Sequence, residues 1–223
     1  MPVPARRQLL RLFGAAAVGA GLTMSGPLIA SAMAAPSLRL FGKSEKRGKN
    51  VNLFRKWIGA LTKHFEQVTL MPASCDHRLV NHCNLQQWQA FLDTIRDRPT
   101  ITQIDLVNRE MNSRKYVTDI INWNIVDYWA PPGDFLRKNG DCEDYAIAKY
   151  LSLRELGFDP NLMRICVVYD TNLRVHHAVL AVEWLNDYLI LDNQIRKTVS
   201  HRRIRHYKPV YAINEAYWWA FPA

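Results

Sequence analysis

The sequence predicts an α+β fold in which amphipathic helices come first and an antiparallel sheet follows a buried helix. Apolar residues recur at helical spacing over residues 52–70 and 84–97. Residues 141–157 are apolar on nearly every side, which is typical of a helix in the middle of a fold. Short β-branched runs separated by turn residues then predict strands. These strands are predicted over residues 162–169, 176–184 and 188–192.

Length and composition exclude several classes of protein. The chain has 223 residues, and its 48% apolar and 11% aromatic content supports a packed core rather than a disordered chain. Ten glycines and eleven prolines exclude collagen-like and low-complexity sequences. Four cysteines are too few for a miniprotein held together by disulfides.

The formal net charge of +9 suggests a nucleic-acid partner, but the N-terminal segment argues against this interpretation. Arg6, Arg7 and Arg11 precede an apolar run that ends in residues 32–34 (AMA), the order found in signal peptides. We therefore predict a cleaved signal peptide over residues 1–34, with an uncleaved anchor helix as the alternative. Cleavage would leave a charge of +9 − 3 = +6 on an exported protein, for which we expect no nucleic-acid partner.

The rest of the chain is predicted to form a short lead-in and one domain. Residues 42–50 are polar and contain a charge run flanked by glycines, which predicts a flexible lead-in over residues 35–50. A single domain is expected over residues 51–223. The spacing of Ile104, Val107 and Met111 indicates a third, short helix. Residues 131–133 (PPG) are expected to break the chain before the buried helix.

A cysteine at the start of the buried helix is the first candidate for chemistry. Cys142 follows a Gly-Asp turn, where free N–H groups and the helix dipole favour a thiolate. A cysteine nucleophile needs a base, and the base needs an orienting acceptor. If strands 176–184 and 188–192 pair as a hairpin around Asn186-Asp187, His177 and Asp192 lie close together at its open end. Each residue alone has a structural explanation, but the three in this order favour a Cys-His-Asp site.

Three acidic residues around this cysteine need an explanation of their own. Asp141, Glu143 and Asp144 flank Cys142, and their charges would oppose formation of a thiolate. One explanation is an N-cap aspartate with acids that complement the helix dipole. The other is a bound hard cation, of which calcium fits best, although the spacing is not that of an EF-hand loop. The residues alone leave both explanations open.

The segment around Cys142 resembles a known family signature. Residues 140–150 (GDCEDYAIAKY) are similar to the signature of the bacterial transglutaminase-like cysteine peptidases of the LapG type. Other segments match the family in the same order, and the resemblance covers residues 53–219. These segments are 127–132 (DYWAPP), 177–180 (HAVL), 191–193 (LDN), 210–215 (VYAINE) and Trp218-Trp219.

The resemblance implies a papain/transglutaminase-like α+β fold and a calcium-dependent cysteine protease in the periplasm. It implies a protein substrate, the N-terminal region of a large biofilm adhesin, cut between two alanines to release it from the cell surface. It also implies inhibition by an inner-membrane receptor whose periplasmic domain responds to cyclic di-GMP.

The resemblance also assigns roles to residues of this sequence. Cys142 would be the nucleophile, His177 the general base and later acid, and Asp192 the residue that orients His177. His176, beside His177, is disfavoured because the HAVL segment begins at His177. The remaining assigned residues are the calcium-linked acids Asp141, Glu143 and Asp144.

Two alternative functions remain at this point. A transglutaminase would use the same three residues to pass the acyl group to an amine, and a catalytically silent adaptor would use the same fold to bind a partner. The basic run over residues 196–208 is either a solvated face or a surface for an acidic partner, the adhesin or the receptor. Cys75 and Cys83 are either a disulfide or two free thiols, and Cys166 is expected in the core.

Overall fold

A computed structural model describes residues 38–70 and 82–222 of the protein. The helices of this part are α1 (Arg55–Thr69), α2 (His82–Ile95), α3 (Thr100–Asn112), α4 (Asp119–Trp123), α5 (Pro132–Lys138) and α6 (Cys142–Glu155). Its strands are β1 (Lys46–Gly48), β2 (Met163–Asp170), β3 (Val175–Trp184), β4 (Asp187–Leu191), β5 (Val199–Ser200), β6 (Tyr207–Ile213) and β7 (Trp218–Ala220). No helix in these two ranges has the length and apolar character needed to cross a membrane. The signal peptide predicted over residues 1–34 lies outside the described residues.

The strands form one antiparallel sheet in the order β1-β7-β6-β2-β3-β4-β5. Helix α6 packs against β2 and β3 on one side, and α3 and α5 pack against α6. Side chains all around α6 are therefore buried, including Ile147 and Leu151. This arrangement confirms the predicted α+β fold with a central helix packed on an antiparallel sheet.

The start and end of α6 follow from its sequence. Asp141 is the extended N-cap residue and Cys142 is the first helical residue. Gly157, just beyond the C-terminal end, has φ +92°, a left-handed conformation that glycine adopts without strain. A Cβ atom on Gly140 would collide with the Asp144 carboxylate. The glycine before Asp141 is thus required by the close approach of Asp144 to the backbone.

The turn of the β3–β4 hairpin lies one residue earlier in the chain than expected. Trp184 pairs with Asp187, so the two turn residues are Leu185 and Asn186 rather than Asn186-Asp187. Both have positive φ, +48° and +59°, as a type I′ turn requires. The strand register pairs Leu180 with Leu191, so residue 192 follows directly at the open end of the hairpin.

The expected flexible lead-in is corrected by the structure. Within its described part, β1 pairs with β7 at the edge of the sheet. Leu40 is fully buried in a cluster on the face of the sheet away from α6. Gly48 lies so close to the Trp218 indole that a Cβ atom there would collide with it. Burial of apolar side chains and pairing in the sheet therefore hold residues 40–48 in the folded domain.

The structure also corrects the chain break expected at residues 131–133. Pro131 is the N-cap residue and Pro132 the first residue of α5. Proline suits this first position because its missing N–H would have no partner within the helix and its φ is already helical. The pair therefore begins a helix.

The cysteines divide into bonded and free residues. Cys83 is disulfide-bonded, whereas Cys75 lies outside the described residues. Cys142 and Cys166 are free thiols. Cys166 lies on β2 and is fully buried among apolar side chains, which confirms its expected place in the core.

Candidate active site

The fold places the Cys142 thiol against the strand that carries His177. Cys142 is the first residue of α6, and its thiol donates a hydrogen bond to Glu143 Oε2 at 3.1 Å. The backbone N–H of Ala178 interacts with the same sulfur. Ala178 directly follows His177 on β3, so the start of α6 lies against the part of this strand that carries His177.

His177 and Asp192 are in direct contact, as the hairpin predicts. His177 Nε2 lies 2.9 Å from Asp192 Oδ1, and both side chains are buried. This contact uses one ring nitrogen, so Nδ1 is the nitrogen left for a second partner. The geometry is that of an imidazole held at one nitrogen by a carboxylate, as a general base requires.

Three further groups hold Asp192, and none of them was among the site residues predicted from the sequence. The Tyr207 hydroxyl donates to Asp192 Oδ2 at 2.6 Å, and the Gln194 backbone N–H donates to Oδ1 at 2.8 Å. Asn112 Nδ2 donates to the Asp192 backbone carbonyl at 2.7 Å. Burial by itself would raise the pKa of Asp192, but the bonds from His177, Tyr207 and Gln194 bring it below its ordinary value. The carboxylate is therefore ionised and fixed in place.

Three carboxylates converge beside Cys142. Asp119, Asp141 and Glu143 each offer an oxygen within 4.8 Å of the others. A bridge between Tyr116 and Gly140 brings the Asp119 segment to the start of α6, and the Asp119 N–H approaches Asp141 Oδ2 at 3.4 Å. One oxygen each of Asp119 and Asp141, Oδ1 in both, is buried without a hydrogen-bond donor among the described residues.

The negative charges of this acidic cluster repel one another. Burial and then the neighbouring carboxylates raise the pKa of Asp119 to about 6 and that of Asp141 to about 8. Burial, followed by the charge of Glu143, also raises the pKa of the Cys142 thiol. Oxygens without donors and carboxylates with raised pKa values both fit a bound divalent cation. The acidic cluster formed by Asp119, Asp141 and Glu143 could therefore hold a metal ion.

Asp144 does not join this cluster, in contrast to the sequence expectation. It is fully buried, and its Oδ1 accepts the Ala130 N–H at 2.6 Å. Its Oδ2 accepts the Asp141 N–H at 3.2 Å, which satisfies the backbone at the helix start. Both oxygens are thus occupied by backbone donors, and Asp119 takes the place in the cluster that was expected for Asp144. Spacing could not reveal Asp119, since its proximity depends on the Tyr116–Gly140 bridge.

Residues 71–220 match the family described as bacterial transglutaminase-like cysteine proteinase. The chain belongs to this family. A structure of Legionella pneumophila LapG is 31% identical, with a TM-score of 0.57 over 62% of this chain and 78% of that chain. Calcium-bound L. pneumophila LapG is 26% identical, with a TM-score of 0.56 over 73% of this chain and 84% of that chain. None of the curated proteins compared with the chain matches it.

These matches make the protein a bacterial transglutaminase-like cysteine proteinase that is similar to L. pneumophila LapG, with the corresponding α+β fold. EGTA-treated L. pneumophila LapG is similar to the same extent, 30% identical with a TM-score of 0.58 over 64% of this chain and 78% of that chain. In this cysteine proteinase Cys142 lies against the strand of His177, His177 contacts Asp192, and an acidic cluster lies at the start of the helix that carries Cys142.

We expect Asp144→Ala to destabilise this cysteine proteinase without removing any carboxylate of the acidic cluster. The change leaves two buried backbone N–H groups without their acceptor, which should lower the free energy of unfolding by about 2–4 kcal/mol. Urea denaturation followed by circular dichroism measures this loss. Asp105→Asn, on the neighbouring helix α3, is the matched control and should change stability little. Wild-type stability in Asp144→Ala would contradict the structural role.

The raised carboxyl pKa values also predict how stability depends on pH. In chelator, protonated Asp119 and Asp141 favour the folded state, an advantage that is complete below their ordinary pKa of 3.8. It disappears as the pH rises through about 6 and about 8. We therefore expect the Tm in chelator to fall across this range, and a divalent cation to raise it more at pH 8 than at pH 5. A Tm gain that is independent of pH would contradict the assignment.

Proposed function

We propose that this protein is a calcium-dependent periplasmic cysteine endopeptidase that cleaves the N-terminal region of a large biofilm adhesin at an Ala-Ala bond. The observation that carries the proposal is the placement of Cys142 at a helix start, against the strand of His177, whose imidazole contacts Asp192. The family match supports the peptidase activity, and the likeness to calcium-bound LapG supports the metal. The adhesin substrate rests on the resemblance of residues 140–150 to the family signature.

In the proposed reaction, His177 Nδ1 takes the proton of the Cys142 thiol while Nε2 stays bonded to Asp192. The thiolate attacks the scissile carbonyl carbon, and its oxygen becomes an oxyanion. The backbone N–H groups at the start of α6, including that of Cys142, favour this negative charge. His177 then protonates the departing amine, which leaves a thioester on Cys142. His177 next removes a proton from water, which attacks the thioester and frees the sulfur.

The acidic cluster explains why the proposed reaction would require a metal ion. Asp119, Asp141 and Glu143 would hold calcium through hard carboxylate oxygens. The ion supplies positive charge that offsets the carboxylates next to the nucleophile. Asp141 and Glu143 flank Cys142 in the sequence, so their charges act directly on the thiol.

The proposed location and partners follow from the N-terminal segment and the basic surface. The signal sequence expected over residues 1–34 would export the protein to the periplasm. Arg109, Arg196 and Lys197 line a cavity of about 490 Å³ together with Asn112, the residue that bonds to the Asp192 backbone. This positive surface suits an acidic segment of the adhesin or of an inhibitory inner-membrane receptor that senses cyclic di-GMP.

The decisive experiment incubates the mature chain, residues 35–223, with the N-terminal segment of a candidate adhesin in calcium or in EGTA. We expect a single cut between two alanines in calcium, and no cut in EGTA or with Cys142→Ala. Product masses separate hydrolysis, which adds water, from acyl transfer, which adds an amine. Cutting by Cys142→Ala would overturn the mechanism, and equal cutting in EGTA would overturn the calcium requirement.

A further inference from the structure

Lys149 is a buried charge that the proposed reaction does not use. It lies on α6, its side chain is fully buried, and its Nζ has no hydrogen-bond partner among the described residues. Burial of an ammonium is costly unless an opposite charge compensates it. A lysine in this position therefore calls for a compensating group nearby.

The position of Lys149 directs its ammonium toward the active-site end of α6. Lys149 follows Cys142 by seven residues, or two helical turns, so both lie on the same face. Helical side chains lean toward the N-terminus of their helix. In agreement, Lys149 Nζ lies 5.7 Å from the centre of the Tyr145 ring, one turn closer to Cys142.

The opposite charge that acts on Lys149 is that of Asp192. Burial lowers the pKa of Lys149 to about 7, and the attraction of Asp192 acts against this decrease. Tyr145 is the titratable group of α6 beside the ammonium, and no charged side chain of α3, α5, β2 or β3 acts on it among the described residues. Asp192 is thus the charged group whose attraction acts on the buried ammonium.

The interaction matters because of what Asp192 does for His177. Its carboxylate accepts hydrogen bonds from His177, Tyr207 and the Gln194 backbone, which lower its pKa the most. Tyr207 and the Gln194 backbone are uncharged donors. When the imidazole is also neutral, Lys149 is therefore the positive charge available to the buried carboxylate.

We propose that Lys149 is a positioning residue whose buried ammonium adds positive charge beside the Asp192 carboxylate that orients His177. Its measurable effect on activity rests on the proposed peptidase function. Its effect on the titration of His177 does not, because that can be observed in the protein without substrate.

The test compares wild type with Lys149→Met, which keeps the length of the side chain and removes its charge. We expect unchanged or higher thermal stability, because an apolar side chain replaces a buried charge. We also expect kcat to fall by about tenfold or more with little change in KM, a pattern typical of lost transition-state stabilisation. The titration of His177, followed by NMR of ¹³C-labelled histidine in calcium-loaded protein, should move to higher pH. Removal of a nearby positive charge raises the proton affinity of the His177–Asp192 pair.

The matched control is Ser152→Ala, which changes another buried polar residue of α6. Ser152 accepts a hydrogen bond from Trp88 Nε1 at 2.8 Å. This variant should lose stability and leave both kcat and the His177 titration unchanged. Wild-type kcat and His177 titration in Lys149→Met would overturn the proposal.

A second measurement covers the case in which Lys149→Met does not fold. NMR of ¹³C-labelled lysine follows the Lys149 ammonium in wild type and in Asp192→Asn. We expect the Lys149 midpoint to fall by about one pH unit or more in Asp192→Asn, since the compensating charge is gone. An unchanged midpoint would overturn the proposal. Shifted titrations without any peptide cleavage would count against the peptidase function alone.

Discussion

Chelation of calcium is expected to slow alkylation of Cys142 by iodoacetamide at least about tenfold at neutral pH, and added calcium should restore the rate. The thiolate is the reactive form, and below the thiol pKa each unit of increase in pKa removes about nine tenths of it. Burial and the charges of Glu143 and Asp141 raise the pKa of Cys142. Positive charge in the acidic cluster should lower it again.

The measurement is the rate of modification of the Cys142 peptide by mass spectrometry, across a range of pH, in calcium and in EGTA. A change in pKa moves the midpoint of the curve and keeps its plateau, whereas a change in access lowers the plateau. Cys166 provides an internal reference, because this free thiol is fully buried and should not react in folded protein. Identical curves in calcium and EGTA would contradict the electrostatic role.

Substitutions in α6 test the electrostatic effect on Cys142 one residue at a time. Glu143→Gln removes the carboxylate that accepts the Cys142 thiol hydrogen bond. We expect it to react faster than wild type in EGTA and to respond less to calcium. Glu155→Gln, at the other end of the same helix, is the matched control and should behave as wild type. A wild-type calcium response in Glu143→Gln would remove Glu143 from the acidic cluster.

The sequence predicted those helices and strands in which an uninterrupted spacing of apolar residues reflects the side of the element that is buried. Helices α1 and α2 and strands β2, β3 and β4 were found within a few residues of their bounds. Strand β6 was missed because Pro209 interrupts its pattern. In the structure, the register of β2 and β6 shifts beside Pro209, between Val167 and Val168, so the sheet accommodates the proline at an irregularity.

The candidate site was predictable where it depends on local spacing. The hairpin brings His177 to Asp192, and Cys142 is the first residue of a helix, so periodicity and turn chemistry were sufficient to find these positions. The acidic cluster depends on a contact between distant segments. Asp119 approaches Asp141 only through the Tyr116–Gly140 bridge, which leaves no mark in the spacing. The same limit applies to Tyr207, which reaches Asp192 from β6.

The other large effect is expected from substitutions of Asp192. They separate the role of its side chain as a hydrogen-bond acceptor from the role of its charge. Asp192→Ala removes both, and we expect kcat to fall by about 10³–10⁴-fold because His177 loses the group that fixes its tautomer. Asp192→Asn keeps an oxygen that can accept from His177 Nε2, and the Tyr207 hydroxyl can turn to accept from the new amide. We therefore expect a smaller loss than in Asp192→Ala.

Tyr207→Phe completes this series because it removes only the hydrogen bond to Asp192 Oδ2. We expect the smallest decrease in kcat, on the order of tenfold or less, since Asp192 keeps its charge and its contact with His177. Steady-state cleavage of the adhesin segment gives the order of the three variants, with unchanged calcium binding as the check on folding. If Asp192→Asn were as impaired as Asp192→Ala, the charge of Asp192 would outweigh its role as an acceptor. Wild-type kcat in Asp192→Ala would remove Asp192 from the mechanism, because catalysis would then not require its carboxylate to orient His177.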